Sequence, residues 1–146
     1  MERTCIIIKP DGVSRGLVGE IVSRFERRGF RVANARALVM TDDLVAEHYA
    51  HLVSEAFFPE IRAYMTSGPV LAMVLEAPNA VEAARQMVGA TDPMKAAPGT
   101  IRGDLATSLR FNLVHASDSP SSAAVEINRF FPSEDPRKES GYAATS

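Results

Sequence analysis

The chain has 146 residues, of which 46% are hydrophobic and 23% are charged, and these values are typical of a single folded domain. Its net charge of −2 argues against a nucleic-acid-binding protein, because such proteins need a basic surface. Cys5 is the only cysteine, which excludes a disulfide framework and a thiolate metal site. The basic residues are 13 arginines and only 3 lysines, so the position of each lysine matters.

The first third of the chain predicts two strands around a helix. Residues 4–8 are β-branched and precede a Lys-Pro-Asp-Gly turn, which is typical of a buried strand. Apolar residues at helical spacing predict a helix over residues 16–28, with Gly29 as its C-terminal stop. Residues 30–40 alternate in polarity and predict a second strand.

The middle third predicts three helices and one strand. Thr41 or Asp42 can cap a helix, and residues 59–66 predict a short helix that ends at a Ser-Gly-Pro turn. The apolar residues 70–75 predict a central strand. Asn79 is placed to cap the helix that follows this strand.

The last third predicts a long loop, a short strand and a final helix. Residues 89–109 form an irregular stretch with several glycines and prolines, and long loops of this kind are often functional. Residues 112–115 predict a strand, and Ser119 followed by Pro120 is a typical helix start. The polar residues 133–146 predict a C-terminal tail after a domain that covers residues 1–132.

These elements predict an α/β (α+β) fold in one domain. Four strands interrupted by helices favour a mixed arrangement in which helices cover a sheet. The economical topology is a ferredoxin-like four-stranded antiparallel sheet with helices packed on it, plus the long loop.

The chain carries no segment that predicts membrane insertion or export. Its longest apolar run covers residues 70–75, far short of the roughly 20 residues that cross a bilayer as a helix. The N-terminus lacks the charged, apolar and cleavage regions of a secretory signal. We therefore expect a cytoplasmic protein without a membrane partner.

His115 is the first candidate for chemistry. It ends a predicted strand and precedes a small polar turn, where reactive groups are often presented. Glu126 follows eleven residues later on a helix face of small and apolar residues, so it should point inward. If it reaches the imidazole, it fixes the tautomer and leaves the second nitrogen free to attack. The alternative is an ordinary polar histidine in the core or on the surface.

Several cations surround the long loop, and they favour phosphate as the group that is handled. Arginine offers a fork of donors to phosphate and lysine offers a point charge. The sequence has neither a P-loop nor a Gly-x-Gly-x-x-Gly motif, so side chains must bind any phosphate. The alternative is a solvated charged surface. The candidates are the cations Lys9, Arg85 and Arg102, together with the hydroxyl of Thr91.

The motifs of the chain resemble those of nucleoside diphosphate kinases. Residues 112–118, Asn-Leu-Val-His-Ala-Ser-Asp, are similar to the family signature N-x-x-H-G-S-D. Residues 3–13 resemble the opening strand of the family, and residues 89–93 and 98–104 match its loop motifs in order. The resemblance covers roughly residues 2–131. It implies ping-pong transfer of the γ-phosphoryl group of a nucleoside triphosphate to a nucleoside diphosphate through a phosphohistidine.

The resemblance also implies roles for individual residues. His115 is the nucleophile, Glu126 orients its ring, and Ser117 supports that pair. Lys9 contacts the ribose and the transferring phosphate, and Asn112 contacts the ribose. The remaining nucleotide-binding residues are Phe57, which stacks on the base, and the phosphate-binding Tyr49, Arg85, Thr91 and Arg102.

The resemblance implies a cofactor and an assembly as well. Mg²⁺ is held mainly by the nucleotide phosphates, without a metal site made by the protein alone. Family members form homo-oligomers, usually hexamers and sometimes tetramers or dimers. No nucleic-acid partner is expected.

Three residues depart from the family pattern. Ala116 replaces a glycine after the histidine, which costs roughly 1 kcal/mol if that position needs a positive φ. Phe111 stands where many members carry arginine, and Val125 replaces a common basic residue that we expect at the surface. Two other hypotheses remain: a nucleotide-binding relative without turnover, and an RNA-binding module, which would need exposed aromatic residues on central strands.

Overall fold

Four strands form one antiparallel sheet in the computed structural model, which describes residues 1–132. The strands are β1 (Glu2–Ile8), β2 (Arg31–Leu38), β3 (Val70–Ala77) and β4 (Val114–Ala116), in the spatial order β2-β3-β1-β4. This order and the antiparallel pairing of all neighbours confirm the predicted ferredoxin-like sheet. The predicted tail, residues 133–146, lies outside the described residues.

Seven α-helices and two short 3-10 turns connect the strands within residues 1–132. None of these helices is long and apolar enough to cross a bilayer. The 3-10 turns cover Ala50–Leu52 and Pro93–Lys95. The α-helices are α1 (Pro10–Ser14), α2 (Val18–Arg28), α3 (Asp42–His48), α4 (Phe58–Met65), α5 (Ala80–Val88), α6 (Ile101–Leu105) and α7 (Pro120–Phe130).

Strand β1 lies inside the sheet and is buried on both faces. Ile6 and Ile8 point to one face, where they join Phe25 of α2 in a buried cluster. Cys5 and Ile7 point to the other face and join a second cluster with Phe130 of α7. Because side chains alternate along a strand, an uninterrupted apolar run is what two covered faces require.

Helix capping follows the predictions at two sites and fails at one. The Thr41 hydroxyl accepts from the Leu44 amide, and the Ser119 hydroxyl accepts from the Ser122 amide. Asn79 adopts a left-handed φ of 52° and makes no side-chain cap, so that prediction was wrong. The carboxylate of Glu2 accepts from the Val81 amide instead, at 2.8 Å, and thereby ties the start of α5 to β1.

The stretch 89–109 is more ordered than the sequence suggests, because it contains a 3-10 turn and α6. Gly103 allows α6 to pack closely on the preceding turn: a Cβ there would lie 2.1 Å from the carbonyl oxygen of Ala97. Thr100 caps α6 by accepting from the Gly103 amide at 3.0 Å. The loop therefore presents its polar groups from a fixed backbone.

Candidate active site

The predicted site residues converge on a cleft where the C-terminal end of β1 meets β4. Its volume is about 380 Å³. The walls come from β4, α3, α5, α6, α7 and the segments next to them. The predicted residues on its walls are Lys9, Tyr49, Arg85, Thr91, Arg102, Asn112, His115 and Glu126.

His115 and Glu126 meet as the helix geometry predicts. Nε2 of His115 lies 2.7 Å from Oε1 of Glu126, and the Ser117 hydroxyl donates to the same oxygen at 2.7 Å. Since an ionised carboxylate only accepts, the neutral His115 ring carries its proton on Nε2. The lone pair of Nδ1 is therefore available for attack.

Ser117 anchors this pair to the centre of the sheet. It is fully buried, and its hydroxyl accepts from the Cys5 amide at 3.2 Å. Its own amide donates to the Cys5 carbonyl at 3.1 Å. Because β1 is rigidly packed on both faces, Glu126 is held by a group that cannot move independently of the sheet.

Ala116 fits the site without strain. It lies in β4 opposite Ile6, and its φ is not positive. The strand conformation suits alanine, so the departure from the family glycine carries no conformational cost here. Val125, the third departure, is exposed as expected.

The strained residue of this segment is Leu113, which is fully buried with a φ of 75°. Such a conformation costs a non-glycine residue of order 1–3 kcal/mol and persists only where its surroundings fix it. The Leu113 carbonyl accepts from the Lys9 amide at 2.8 Å, and its amide donates to Asp11 at 3.1 Å. Because of this turn, β4 begins only at Val114, and the Asn112 side chain faces the cleft.

Lys9 and Asn112 hold each other at the floor of the cleft. The Lys9 ammonium donates to Oδ1 of Asn112 at 2.8 Å, and the Asn112 amide donates to the Thr91 carbonyl at 3.0 Å. Burial, followed by the charge of Arg102, lowers the pKa of Lys9 to about 8, although Asp11 opposes this shift. Lys9 is therefore a desolvated cation that titrates close to neutral pH.

The Arg102 side chain binds mainly the protein backbone, whereas the sequence predicts only that it binds phosphate. It is only 8% exposed, and it donates to the carbonyls of Asn112 at 3.2 Å, Gly89 at 3.1 Å and Val114 at 2.5 Å. Burial, and then the charge of Arg85, lowers the pKa of Arg102 to about 10. A guanidinium has five N–H donors, so three bonds to the backbone leave two for a ligand.

Phe57 lies in an apolar cleft next to the first one. This second cleft has a volume of about 540 Å³, and Phe57 is 43% exposed on its wall. The two clefts share wall residues and form one continuous groove. The shared residues are Lys9, Tyr49, Leu52, Thr91 and Asn112.

The structure gives Phe111 and Arg110 local partners. Phe111 packs edge-on against Tyr64 with ring centroids 5.0 Å apart. Arg110 forms an ion pair with Glu60 on the surface and lines the second cleft away from His115. Neither residue lines the first cleft.

Two residues of the site received no role in the sequence analysis. His48 is buried at the end of α3 with its ring centroid 4.7 Å from that of His115. Arg129 of α7 contacts this ring, with Nη1 of Arg129 2.9 Å from Nδ1 of His48. His48 belongs to the Glu-His-Tyr segment, residues 47–49, that resembles the family, whereas the only signal for Arg129 is that it follows Glu126 by one helical turn.

A half-buried lysine, a histidine–carboxylate pair and arginines in one cleft fit an enzyme that transfers a phosphoryl group. The nucleoside diphosphate kinase family model matches residues 2–136, and the chain belongs to this family. The predicted resemblance is confirmed. So is the predicted class of reaction, the transfer of a phosphoryl group between nucleotides.

Individual relatives agree with this assignment. The nucleoside diphosphate kinase of Pelotomaculum thermopropionicum is 52% identical, over 92% of this chain and 91% of the relative. That of Methanocorpusculum labreanum is 53% identical, over 92% of this chain and 91% of the relative. The crystal structure of the nucleoside diphosphate kinase family protein from Babesia bovis is similar with a TM-score of 0.88 and 45% identity, covering 92% of this chain and 90% of that one.

A further solved structure is a nucleotide complex. It is the halophilic nucleoside diphosphate kinase from Halobacterium salinarum with CDP. The match has a TM-score of 0.88 and 44% identity, covering 92% of this chain and 89% of that one. Enzymes of this family act on nucleotides together with a divalent cation.

Proposed function

We propose that the chain carries out its kinase reaction by a ping-pong mechanism in which Nδ1 of His115 is phosphorylated. In the first half-reaction, Nδ1 attacks the γ-phosphorus, the bond to the β,γ-bridging oxygen breaks, and the nucleoside diphosphate leaves. In the second, a terminal β-oxygen of another diphosphate attacks the same phosphorus and the N–P bond breaks. The proton on Nε2 stays with the His115–Glu126 pair throughout. That hydrogen bond is the observation that carries the proposal.

The phosphates occupy the first cleft in this proposal. Lys9 lines the cleft beside Asn112, and it would neutralise charge on the transferring group. Asn112 would bind the ribose. The remaining phosphate contacts would come from Tyr49, Arg85, Thr91 and the two unused donors of Arg102.

Mg²⁺ is the proposed cation, and it would be held mainly by the nucleotide. Among residues 1–132 no cluster of three His, Cys, Asp or Glu side chains could form a metal cage. Glu126 is bonded to His115 and Ser117, which leaves Asp118 as the second carboxylate on the cleft wall. Hydrogen bonding from Ser122 lowers the pKa of Asp118, which favours its charged form. This donor set fits a Mg²⁺ that Asp118 would help to hold and that would neutralise phosphate charge.

A label-transfer experiment tests the mechanism. The chain is incubated with γ-labelled ATP and Mg²⁺, freed of nucleotide, and then given an unlabelled nucleoside diphosphate with a different base. We expect a stable protein-bound label that survives base, is lost in brief acid, and moves quantitatively to the second nucleotide. A nucleotide-binding relative without turnover would take up no label, and that result would overturn the proposal.

Phe57 should contribute mainly to nucleotide binding. We expect Phe57→Ala to raise KM about tenfold, because base stacking contributes roughly 1–3 kcal/mol, while the rate of His115 phosphorylation at saturating ATP stays nearly constant. Steady-state kinetics and single-turnover quench-flow measure the two quantities. Phe111→Ala is the matched control, since Phe111 is a half-exposed aromatic residue outside the second cleft. A fall in the phosphorylation rate with unchanged KM would contradict the stacking role.

Assembly and location complete the proposal. We infer a homo-oligomer, with a hexamer as the first expectation and a tetramer or dimer as alternatives, on the basis of family resemblance. A cytoplasmic location is proposed on the same resemblance, and the net charge of −2 supports the absence of a nucleic-acid partner. Sedimentation velocity on the full chain distinguishes the three assemblies.

A further inference from the structure

His48 forms one wall around the nucleophile. Its ring lies edge-to-face with that of His115, with centroids 4.7 Å apart and planes at 78°. The same ring packs against Tyr49 at 4.7 Å and Phe130 at 5.4 Å. His48 is 8% exposed, so its orientation is set by these neighbours and by whatever bonds its nitrogens.

Arg129 supplies a hydrogen bond to this buried ring. It lies three residues after Glu126 on α7, and its Nη1 is 2.9 Å from Nδ1 of His48. Arginine can only donate, so Nδ1 of His48 must accept, and the neutral ring carries its proton on Nε2. Nε of Arg129 donates to the Glu47 carboxylate at 3.3 Å, and this bond helps to orient the guanidinium. The Arg129 side chain is only 12% exposed.

We propose that Arg129 is a positioning residue that acts through His48 on the His115 ring. Glu126 holds His115 at one atom, Nε2, and a single hydrogen bond leaves the ring free to tilt about that point. The His48 ring removes this freedom by packing on His115, and Arg129 locks the tautomer and rotation of His48. This inference rests on the proposed role of His115 as the nucleophile.

The electrostatics of the cluster agree with a neutral His48. Burial is the largest influence and lowers the pKa of His48 to about 2. His48 therefore stays uncharged throughout the working pH range, and the acceptor that Arg129 needs is always present. The charged and titratable groups that face it and also lower its pKa are His115, Arg129, Lys9 and His51.

Three variants separate positioning from packing. Arg129→Met keeps a long apolar stem but removes the donor, Arg129→Lys restores a cationic donor, and Glu47→Gln is the control because it changes only the exposed partner. We expect Arg129→Met to slow single-turnover phosphorylation of His115 about tenfold at saturating ATP, because small misplacements of reacting groups are costly. Nucleotide Kd should not change. Arg129→Lys should recover most of the rate, and Glu47→Gln should match the wild type.

A double-mutant cycle and a spectroscopic signature test the route through His48. In a His48→Phe background, which keeps an aromatic wall without an acceptor, Arg129→Met should cause no further loss of rate. Nitrogen-15 NMR of His48 should show a pure Nε2–H tautomer in the wild type and a mixture in Arg129→Met. A rate within twofold of wild type in folded Arg129→Met, or an additive loss in the cycle, would overturn the inference. If the wild type takes up no label, the proposed function fails instead, while the tautomer measurement still tests the Arg129–His48 contact.

Discussion

His115→Ala should abolish phosphorylation of the chain and reduce turnover by about 10⁴-fold or more, as removal of a catalytic nucleophile does elsewhere. The reason is geometric. Glu126 has no second histidine to orient, and the other histidines that line the cleft, His48 and His51, have different environments. His48 is buried with its Nδ1 bonded to Arg129, so it cannot replace the lost nucleophile.

The matched control is His51→Ala, which removes an exposed histidine from the wall of the same cleft. This variant should keep the acid-labile label and transfer it to a diphosphate. Equilibrium dialysis with ATP should show that His115→Ala still binds nucleotide, since Lys9 and Arg102 remain in place. Retention of label in His115→Ala, or its loss in His51→Ala, would be incompatible with phosphorylation at His115.

Strand β1 shows why much of the fold could be predicted. Its apolar run could only be buried on both faces. The end of α2 could be predicted as well, because the glycine after residue 28 adopts the left-handed conformation that ends this helix, with φ of 107°. Helix α1 was missed because it has five residues, starts at Pro10 and contains Gly12. Tertiary packing decides this helix: a Cβ on Gly12 would lie 2.7 Å from the Ile8 side chain, so only glycine lets it approach β1.

Spacing within one helix could be read, but contacts between distant segments could not. Helix periodicity predicts that Glu126 points inward, and in the structure its carboxylate lies 2.7 Å from the His115 ring. Arg129 and His48 are 81 residues apart, and no local pattern joins them. The same limit applies to Arg102, whose bonds to three backbone carbonyls depend on how the loop folds against β4.

Lys9→Ala should lower kcat about 100- to 1000-fold and raise KM much less, because a half-buried, preorganised cation acts most strongly where charge develops in the transition state. The change also leaves Oδ1 of Asn112 without the Lys9 donor. Lys95→Ala is the matched control: Lys95 is an exposed lysine in the stretch 89–109, and it does not line the first cleft. An unchanged kcat in Lys9→Ala would contradict the role proposed for Lys9.

The lowered pKa of Lys9 adds a pH signature to this prediction. Since its pKa in the free enzyme is about 8, Lys9 loses its charge as the pH rises through 8, and kcat/KM should fall above that point. Bound polyphosphate favours the charged form, so kcat should stay constant to higher pH. Titration of Lys9 does not itself destabilise the fold in this range: between pH 8 and the ordinary lysine pKa of 10.5 the unfolded chain binds more protons at Lys9, so the contribution of Lys9 to stability rises with pH. Arginine keeps its charge in this range, so in Lys9→Arg the fall in kcat/KM near pH 8 should disappear. If kcat/KM of Lys9→Arg still falls near pH 8, the fall belongs to the titration of another group.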